Sequence, residues 1–197
     1  ILHLINYFHD HLKYQENLKG LIISNMMASI PEYVDYANNV LGPQLDSAVL
    51  AEIRALEAKK DYSNPRYNDL IVTNYYPEHV LRMPLEDWPD PVNRAFANMS
   101  QGLYITMQGP SEFGVVGDAK LKYWDVKEKL KNISVPTLSI GGKYDTMDPE
   151  HMKWIASEVQ NGKFLYCENG SHLCMYDDQK TFFEGLIKFI YDVNNGN

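Results

Sequence analysis

The chain has 197 residues, which is enough to bury one full core with a small accessory layer, so one domain with an elaboration is expected. Its 18 basic and 26 acidic residues give a net charge of −8, and the lack of any Lys/Arg run argues against nucleic acid as a partner. The longest apolar stretches are far shorter than the roughly 20 residues that span a bilayer. We therefore expect a soluble, cytoplasmic protein with no membrane partner, in which Cys167 and Cys174 are reduced thiols.

The first predicted elements are a helix and a buried strand. Apolar residues recur at helical spacing within Ile1 to Asn17, and a short apolar run with β-branched residues follows, with a strand near Leu21 to Ser24. Residues 29–130 then become helical in pattern and rich in tyrosine and proline. This stretch predicts a helical insertion of about a hundred residues.

Several local signals define the ends of helices in this insertion. Asp46 or Ser47, Asn64 and Asp90 are expected as N-terminal caps, and the last two are each followed by a proline at the first helical position. Leu103 to Met107 is the one stretch of the insertion in which residues alternate as in a strand. The periodicity before it is helical, so we predict an all-helical insertion.

Strand and helix patterns alternate again from Ile133. Residues 135–142 and 163–168 predict strands, and Asp148 before Pro149 predicts the cap of the helix between them. A final helix is expected to bury one apolar face, formed by Phe182, Phe183, Leu186, Ile187, Ile190 and Val193. The alternation predicts an α/β protein with a mostly parallel sheet, in which residues 1–28 and 131–197 form the core and residues 29–130 the insertion.

An Asp and a His follow the last two predicted strands. Asp145 comes three residues after Gly142, and His172 follows the strand that ends near Cys167. Because the carboxyl ends of parallel strands meet at one edge of the sheet, these side chains are expected to touch. Such a pair is the acid and base of a nucleophilic triad, although either residue alone is also common in an ordinary turn or loop.

A nucleophile for this pair is not evident among the 197 residues. No G-x-S-x-G motif occurs, and in "GPSEFG" the second glycine comes one place late. Cys174 is too close to His172 along the chain, and Cys167 lies within a predicted strand. His3, His9 and His11 do not share a helix face as metal ligands would, so neither a metal nor a cofactor is expected.

Three motifs together resemble one known family. They are "QGPSEF" at residues 108–113, "GGKYDTMDPEHM" at residues 141–152 and "NGSHLCMYDDQ" at residues 169–179. In this order and at these separations they resemble the proline iminopeptidases, α/β-hydrolase serine peptidases that release an N-terminal residue, preferably proline, from peptides. The resemblance extends from about Leu12 to Val193, which is nearly the whole chain.

The resemblance implies roles for individual residues. Asp145 would be the triad acid, His172 the base and residues 29–130 a cap over the active site. Glu112 matches the glutamate that binds the free α-amino group of the peptide substrate, whereas Thr146 stands where some members carry a second acid. Aromatic residues of the cap are expected to line a pocket for the proline ring: Tyr75, Tyr76, Trp88, Tyr104 and Phe113.

The resemblance also implies where the serine would lie. The nucleophile elbow and the oxyanion-hole loop would precede Ile1, so the chain would form the C-terminal half of the enzyme and be inactive alone. The strand near Leu21 to Ser24 would then be an unpaired edge, which predicts a homo-oligomer or pairing with an N-terminal fragment. The alternatives are a non-catalytic module that binds peptide N-termini, and another capped α/β-hydrolase such as an esterase or epoxide hydrolase, against which Glu112 argues.

Overall fold

The computed structural model describes residues 12–196. Three parallel strands form its sheet in the order β1-β2-β3, namely β1 (Leu21–Ser24), β2 (Thr137–Gly142) and β3 (Gly162–Cys167). Leu21 pairs with Thr137, and Thr137 pairs in turn with Gly162. Every residue of β2 is buried, as expected for a central strand covered on both faces by helices. The predicted parallel α/β sheet is therefore confirmed.

Helices surround the sheet and form the insertion. The α-helices of the described residues are α1 (Ile30–Tyr36), α2 (Ser47–Ala58), α3 (Pro65–Asn74), α4 (Tyr76–His79), α5 (Asp90–Ala97), α6 (Gln101–Met107), α7 (Pro149–Glu158), α8 (Cys174–Asp177) and α9 (Gln179–Asn194). Short segments of 3₁₀ or π helix occupy Leu12–Asn17, Ala37–Leu41, Gly42–Gln44, Leu85–Asp87 and Lys127–Asn132. The helix predicted over residues 1–17 lies mostly outside the described residues, and so do His3, His9 and His11. Within residues 12–196, no helix is long and apolar enough to cross a membrane.

Three of the predicted helix caps are confirmed by their hydrogen bonds. The carboxylate of Asp46 accepts from two backbone N–H groups of α2, and Asn64 and Asp148 each accept from one at the start of α3 and α7. The prediction for Asp90 is wrong by one position. Helix α5 begins at Asp90 itself, and the carboxylate of Asp90 binds Arg94 instead of the backbone.

Leu103 to Met107, whose residues alternate as in a strand, lies in α6. Tyr104 N–H donates to the carbonyl of Ser100 at 2.9 Å, and Gln108 N–H donates to the carbonyl of Tyr104 at 2.8 Å. No strand of the described sheet lies beside this segment to accept its backbone groups. The hydrogen bonds are therefore made locally, which favours a helix.

The final helix is confirmed, but its buried face differs from the predicted one. The side chains of α9 that join the apolar cluster beneath the sheet are Phe182, Leu186, Phe189 and Val193. Ile187 is instead 63% exposed, and Phe183 and Ile190 are exposed as well. The predicted face was too wide, because a helix that packs on one side buries a stripe repeating every three or four residues.

Residues 30–113, hereafter the helical part, contain no strand and have an apolar cluster of their own. This cluster includes Tyr67, Leu70, Tyr75 and Phe113. Two segments connect the helical part to the sheet, residues 28–30 and 124–126, hereafter the stems. They pair antiparallel, since Ile30 N–H donates to the carbonyl of Trp124 and Val126 N–H to that of Ala28, each at 2.9 Å.

Candidate active site

The structure brings Asp145 and His172 together at the carboxyl edge of the sheet, as their positions after β2 and β3 predict. His172 Nδ1 lies 2.9 Å from Asp145 Oδ1. Asp145 is fully buried, whereas 22% of the His172 side chain is exposed. Met147 N–H also donates to Oδ1, at 2.9 Å, and Asn25 Nδ2 donates to Oδ2 at 2.6 Å. The carboxylate is therefore held at both oxygens.

Asp145 stabilises the imidazolium form of His172, which a histidine base becomes when it takes up a proton. Burial lowers the pKa of His172, but the charge of Asp145 and its hydrogen bond outweigh burial and raise the pKa to about 9. Because Nδ1 faces Asp145, Nε2 is the nitrogen left to exchange a proton with a reacting group. This is the arrangement that a general base of the Ser-His-Asp type requires.

The two loops that carry the pair are packed so closely that only glycine fits between them. A Cβ atom on Gly142 would lie 2.5 Å from the carbonyl oxygen of Gly170 and 2.7 Å from that of Ser171. Backbone hydrogen bonds join the same loops, from Lys143 to Cys167 and from Tyr144 to Gly170, both at 3.0 Å. The close approach fixes the distance between Asp145 and His172.

Two further supports of this region, His79 and Asp177, were not predicted as site residues. The ring Nδ1 of His79 lies 2.8 Å from the carbonyl oxygen of Tyr144, and the backbone carbonyl of His79 accepts from His172 N–H at 3.0 Å. Asp177 accepts from the backbone N–H groups of Ser171 and Arg82, both at 3.0 Å. Asp177 lies inside the third motif, at residues 169–179.

Glu112 is held by hydrogen bonds in the helical part. One carboxylate oxygen accepts from the Tyr104 hydroxyl at 2.5 Å, and the other accepts from Gln108 Nε2 at 3.1 Å. The Tyr33 hydroxyl donates to the backbone carbonyl of Glu112 at 2.6 Å. Burial first and the charge of Glu112 second raise the pKa of Tyr104, which therefore remains a hydrogen-bond donor.

One cavity of about 440 Å³ is lined by both Glu112 and His172. Its remaining walls are apolar or aromatic, namely Val80, Pro91, Val92, Ala95, Phe96, Met99, Leu173, Met175 and Tyr176. The Glu112 carboxylate and the His172 imidazole thus lie in one pocket whose other walls are apolar or aromatic. Such an enclosure suits a small apolar group that carries a positive charge.

The predicted aromatic residues do not line this cavity. Tyr76, Trp88 and Tyr104 line a neighbouring cavity of about 350 Å³. Tyr75 and Phe113 are almost completely buried in the apolar cluster of the helical part. Sequence reasoning missed Phe96 and Tyr176, which line the Glu112 cavity, because helical spacing alone indicates only packing.

Thr146 packs behind the pair. It is fully buried, and its hydroxyl lies 3.3 Å from Asp145 Oδ1 and 3.3 Å from His172 Nδ1. It does not line the Glu112 cavity. Cys167 and Cys174 are buried free thiols, as predicted.

A parallel sheet with an Asp–His pair at its carboxyl edge defines the class as α/β-hydrolase. The crystal structure of VinJ superposes with a TM-score of 0.81 at 26% identity, covering 89% of this chain and 58% of VinJ. The crystal structure of the Mycobacterium smegmatis proline iminopeptidase superposes with a TM-score of 0.75 at 24% identity, covering 94% of this chain and 60% of that one. No family model matches the chain.

The relatives in sequence are more specific. The chain is 57% identical to a proline iminopeptidase of Elizabethkingia meningoseptica over 183 residues, which are 93% of this chain and 60% of that protein. Over nearly its whole length the chain is similar to part of the proline iminopeptidases. It spans about three fifths of the length of these curated relatives.

Proposed function

We propose that this chain is the part of a serine-type proline iminopeptidase that supplies the acid, the base and the binding site for the substrate's N-terminus. One observation carries the proposal: Glu112 and His172 line the same apolar cavity. An enzyme that removes an N-terminal residue must bind a free amine at a fixed distance from its catalytic base. A cavity with a carboxylate and an imidazole meets that requirement.

In the proposed reaction, His172 Nε2 takes the proton of a serine hydroxyl as its oxygen attacks the scissile carbonyl. Asp145 holds His172 in the required tautomer and stabilises the imidazolium. The imidazolium then gives its proton to the leaving amine, and water releases the acyl group by the same steps. As the family resemblance implies, the serine would come from sequence outside these 197 residues, and the isolated chain would be inactive.

Residues 29–130 would act as a cap domain over this site, with residues 12–28 and 131–196 in the described part of the core. Glu112 of the cap would bind the ammonium group of the peptide. Phe96 of the cap and Tyr176 of α8 would contact the side chain of its first residue. The neighbouring cavity, lined by Tyr76, Trp88 and Tyr104, would contribute to substrate binding. Tyr75 and Phe113 would support the site by packing in the apolar cluster of the helical part.

Peptides with a free N-terminus are the proposed substrates, and the cytoplasm is the proposed location.

The proposal is tested with a chromogenic proline amide, using this chain mixed with the part of the Elizabethkingia relative that it does not match. Turnover is expected for the mixture and not for the chain alone. Glu112→Gln should raise KM at least tenfold, because the ammonium loses its partner charge, and should leave thermal stability within about 1 kcal/mol. Equal turnover of the N-acetylated amide would contradict the role of Glu112.

A non-catalytic module that binds peptide N-termini is the second candidate. The observation that favours it is that residues of this chain line the cavity around Glu112, whereas no G-x-S-x-G motif occurs in the sequence. Calorimetric titration with a proline dipeptide measures binding directly. Binding without turnover in every mixture would favour the module.

The edge of the sheet at β1 is the proposed contact for a second chain or an N-terminal fragment. Among the described strands, β1 has a neighbour on one side only, and Ile22 is 42% exposed. Size-exclusion chromatography with light scattering tests this contact. A monomer at high concentration that is not changed by the added fragment would contradict it.

A further inference from the structure

Asn25 lies directly after β1, and its side chain contacts both loops of the candidate site. Nδ2 donates to Asp145 Oδ2 at 2.6 Å and to the carbonyl oxygen of Ser171 at 3.3 Å. Oδ1 accepts from the Ser24 hydroxyl at 2.6 Å and from the Cys174 thiol at 3.4 Å. One side chain, only 4% exposed, thus connects the turn of Asp145 to residues on either side of His172.

The chemistry of the neighbours fixes the orientation of this amide. An ionised carboxylate can only accept, whereas a hydroxyl and a thiol can donate. With the amide reversed, its oxygen would face the Asp145 carboxylate and its nitrogen would face two donors. The orientation with Nδ2 toward Asp145 therefore satisfies all the partners.

The backbone at this position adds a second requirement. Asn25 has φ 53°, in the left-handed region that Asn enters more readily than most residues other than Gly. Its N–H donates to the carbonyl of Ile140 at 2.9 Å, which continues the pairing of β1 with β2. The left-handed turn directs the chain away from the sheet just where the side chain reaches Asp145.

We propose that Asn25 is a positioning residue for the Asp145–His172 pair. Asp145 Oδ1 binds His172 and Met147, and Asn25 holds Oδ2, so the carboxylate cannot rotate about its Cβ–Cγ bond. The inference rests on the proposed function, because it assigns Asn25 to the orientation of the proposed acid. Asn25 acts through Asp145 and does not touch the Glu112 cavity.

Two variants separate the amide from the backbone requirement. Asn25→Gly keeps a backbone that tolerates positive φ and removes the amide. Asn25→Asp keeps the shape and replaces the donor by a carboxyl group, which can donate to Asp145 only while it is protonated. Lys60→Gly is the matched control, since Lys60 has φ 56° and is exposed, and no hydrogen bond joins it to the site.

The readout is the far-downfield proton resonance of Nδ1–H of His172, measured by NMR on the ¹⁵N-histidine-labelled chain. This proton is observed when it is held by the Asp145 carboxylate, and no catalysis is needed. We expect the resonance in the wild type and in Lys60→Gly, and its loss in Asn25→Gly. In Asn25→Asp, the His172 Nδ1–H resonance should be absent above the pH at which the introduced carboxyl group ionises and present below that pH. The wild type is measured at the same pH values for comparison.

A resonance that persists in Asn25→Gly, or in Asn25→Asp at alkaline pH, would overturn the proposal. Circular dichroism shows whether each variant folds. If Asn25→Gly does not fold, Asn25→Asp alone tests the proposal. A wild type with the resonance but without turnover in any mixture would refute the proposed function and leave the role of Asn25 intact. The two failures are therefore distinguishable.

Discussion

At the level of single residues, His172 shows how burial and charge compete. Burial lowers its pKa, and the Asp145 carboxylate at 2.9 Å raises it to a net value of about 9. This folded-state pKa lies above the ordinary value of about 6.5. The pair therefore stabilises the fold fully below pH about 6.5, and this contribution is lost as the pH rises through about 9.

Asp145→Asn removes the charge and keeps the shape of the side chain. We expect the pKa of His172 to fall below about 6.5, because the lowering by burial is then opposed mainly by the more distant Glu112. The loss of stability between about pH 7 and about pH 10 should disappear as well. Histidine NMR titration and urea midpoints measure the two effects. Thr146→Val, which keeps the charge, is the control, and a His172 pKa still near 9 in Asp145→Asn would refute the explanation.

At the level of elements, the end of β2 and the loop before His172 tolerate no added atom. A Cβ on Gly142 would meet backbone carbonyl oxygens at 2.5 and 2.7 Å, which must move apart. We expect Gly142→Ala to lower the free energy of unfolding by about 1–3 kcal/mol and to weaken the contact between Asp145 and His172.

Gly102→Ala is the matched control for this prediction. A Cβ on Gly102, which lies in α6, has nothing within 4 Å. The substitution should raise stability by about 0.4–1 kcal/mol, since alanine favours the helix. Urea unfolding and the His172 Nδ1–H resonance measure both variants. Equal stability of the two would mean that the close approach at Gly142 relaxes at no cost.

The elements also show which features the sequence could predict. Each of the caps Asp46, Asn64 and Asp148 binds a backbone N–H only two or three residues further along the chain. The local sequence pattern was therefore enough to predict them. The meeting of Asp145 and His172 followed from a general rule about parallel strands. By contrast, the alternation at Leu103 to Met107 does not produce a strand, because a strand also needs a neighbour to pair with.

The supports of the site could not be predicted from local patterns. Asn25 reaches Asp145 across 120 residues of sequence, and His79 reaches the Tyr144 carbonyl across 65. Such contacts depend on how the insertion packs on the sheet. For the same reason, the sequence did not predict that Glu112 and the aromatic residues Tyr76, Trp88 and Tyr104 line different cavities. Spacing along a helix does not tell which cavity a side chain lines.

At the level of the whole molecule, two buried histidines join the helical part to the sheet. The ring of His79 binds the carbonyl of Tyr144, and His151 connects the stems to α7. His151 Nε2 accepts from Ala28 N–H at 3.0 Å, and Nδ1 lies 2.7 Å from the carboxylate of Glu32. Since Nε2 is an acceptor, His151 is the neutral tautomer with its proton on Nδ1. The contact made by His151 therefore depends on a neutral imidazole, whereas Nδ1–H of His79 can donate to Tyr144 in either protonation state.

Acid is accordingly expected to loosen the stems. Burial lowers the pKa of His151, outweighing Glu32, so its contribution to stability is present above the unfolded value of about 6.5 and is lost as the pH falls below it. Protonation places a donor against Ala28 N–H, which costs about 1–3 kcal/mol. Hydrogen exchange of peptides covering residues 26–32 and 122–128 should therefore speed up between about pH 7 and about pH 5, after correction for intrinsic rates.

His151→Gln tests whether this histidine is the titrating group. The amide oxygen of glutamine can accept from Ala28 and its nitrogen can donate to Glu32 without any titration. Stem exchange in this variant should be the same at both pH values, whereas exchange near the Tyr144 carbonyl, which depends on His79, should keep its acid sensitivity. If hydrogen exchange of the stem peptides still speeds up in acid in His151→Gln, another group causes the effect. His79→Gln would then be the variant to compare, because burial also lowers the pKa of His79.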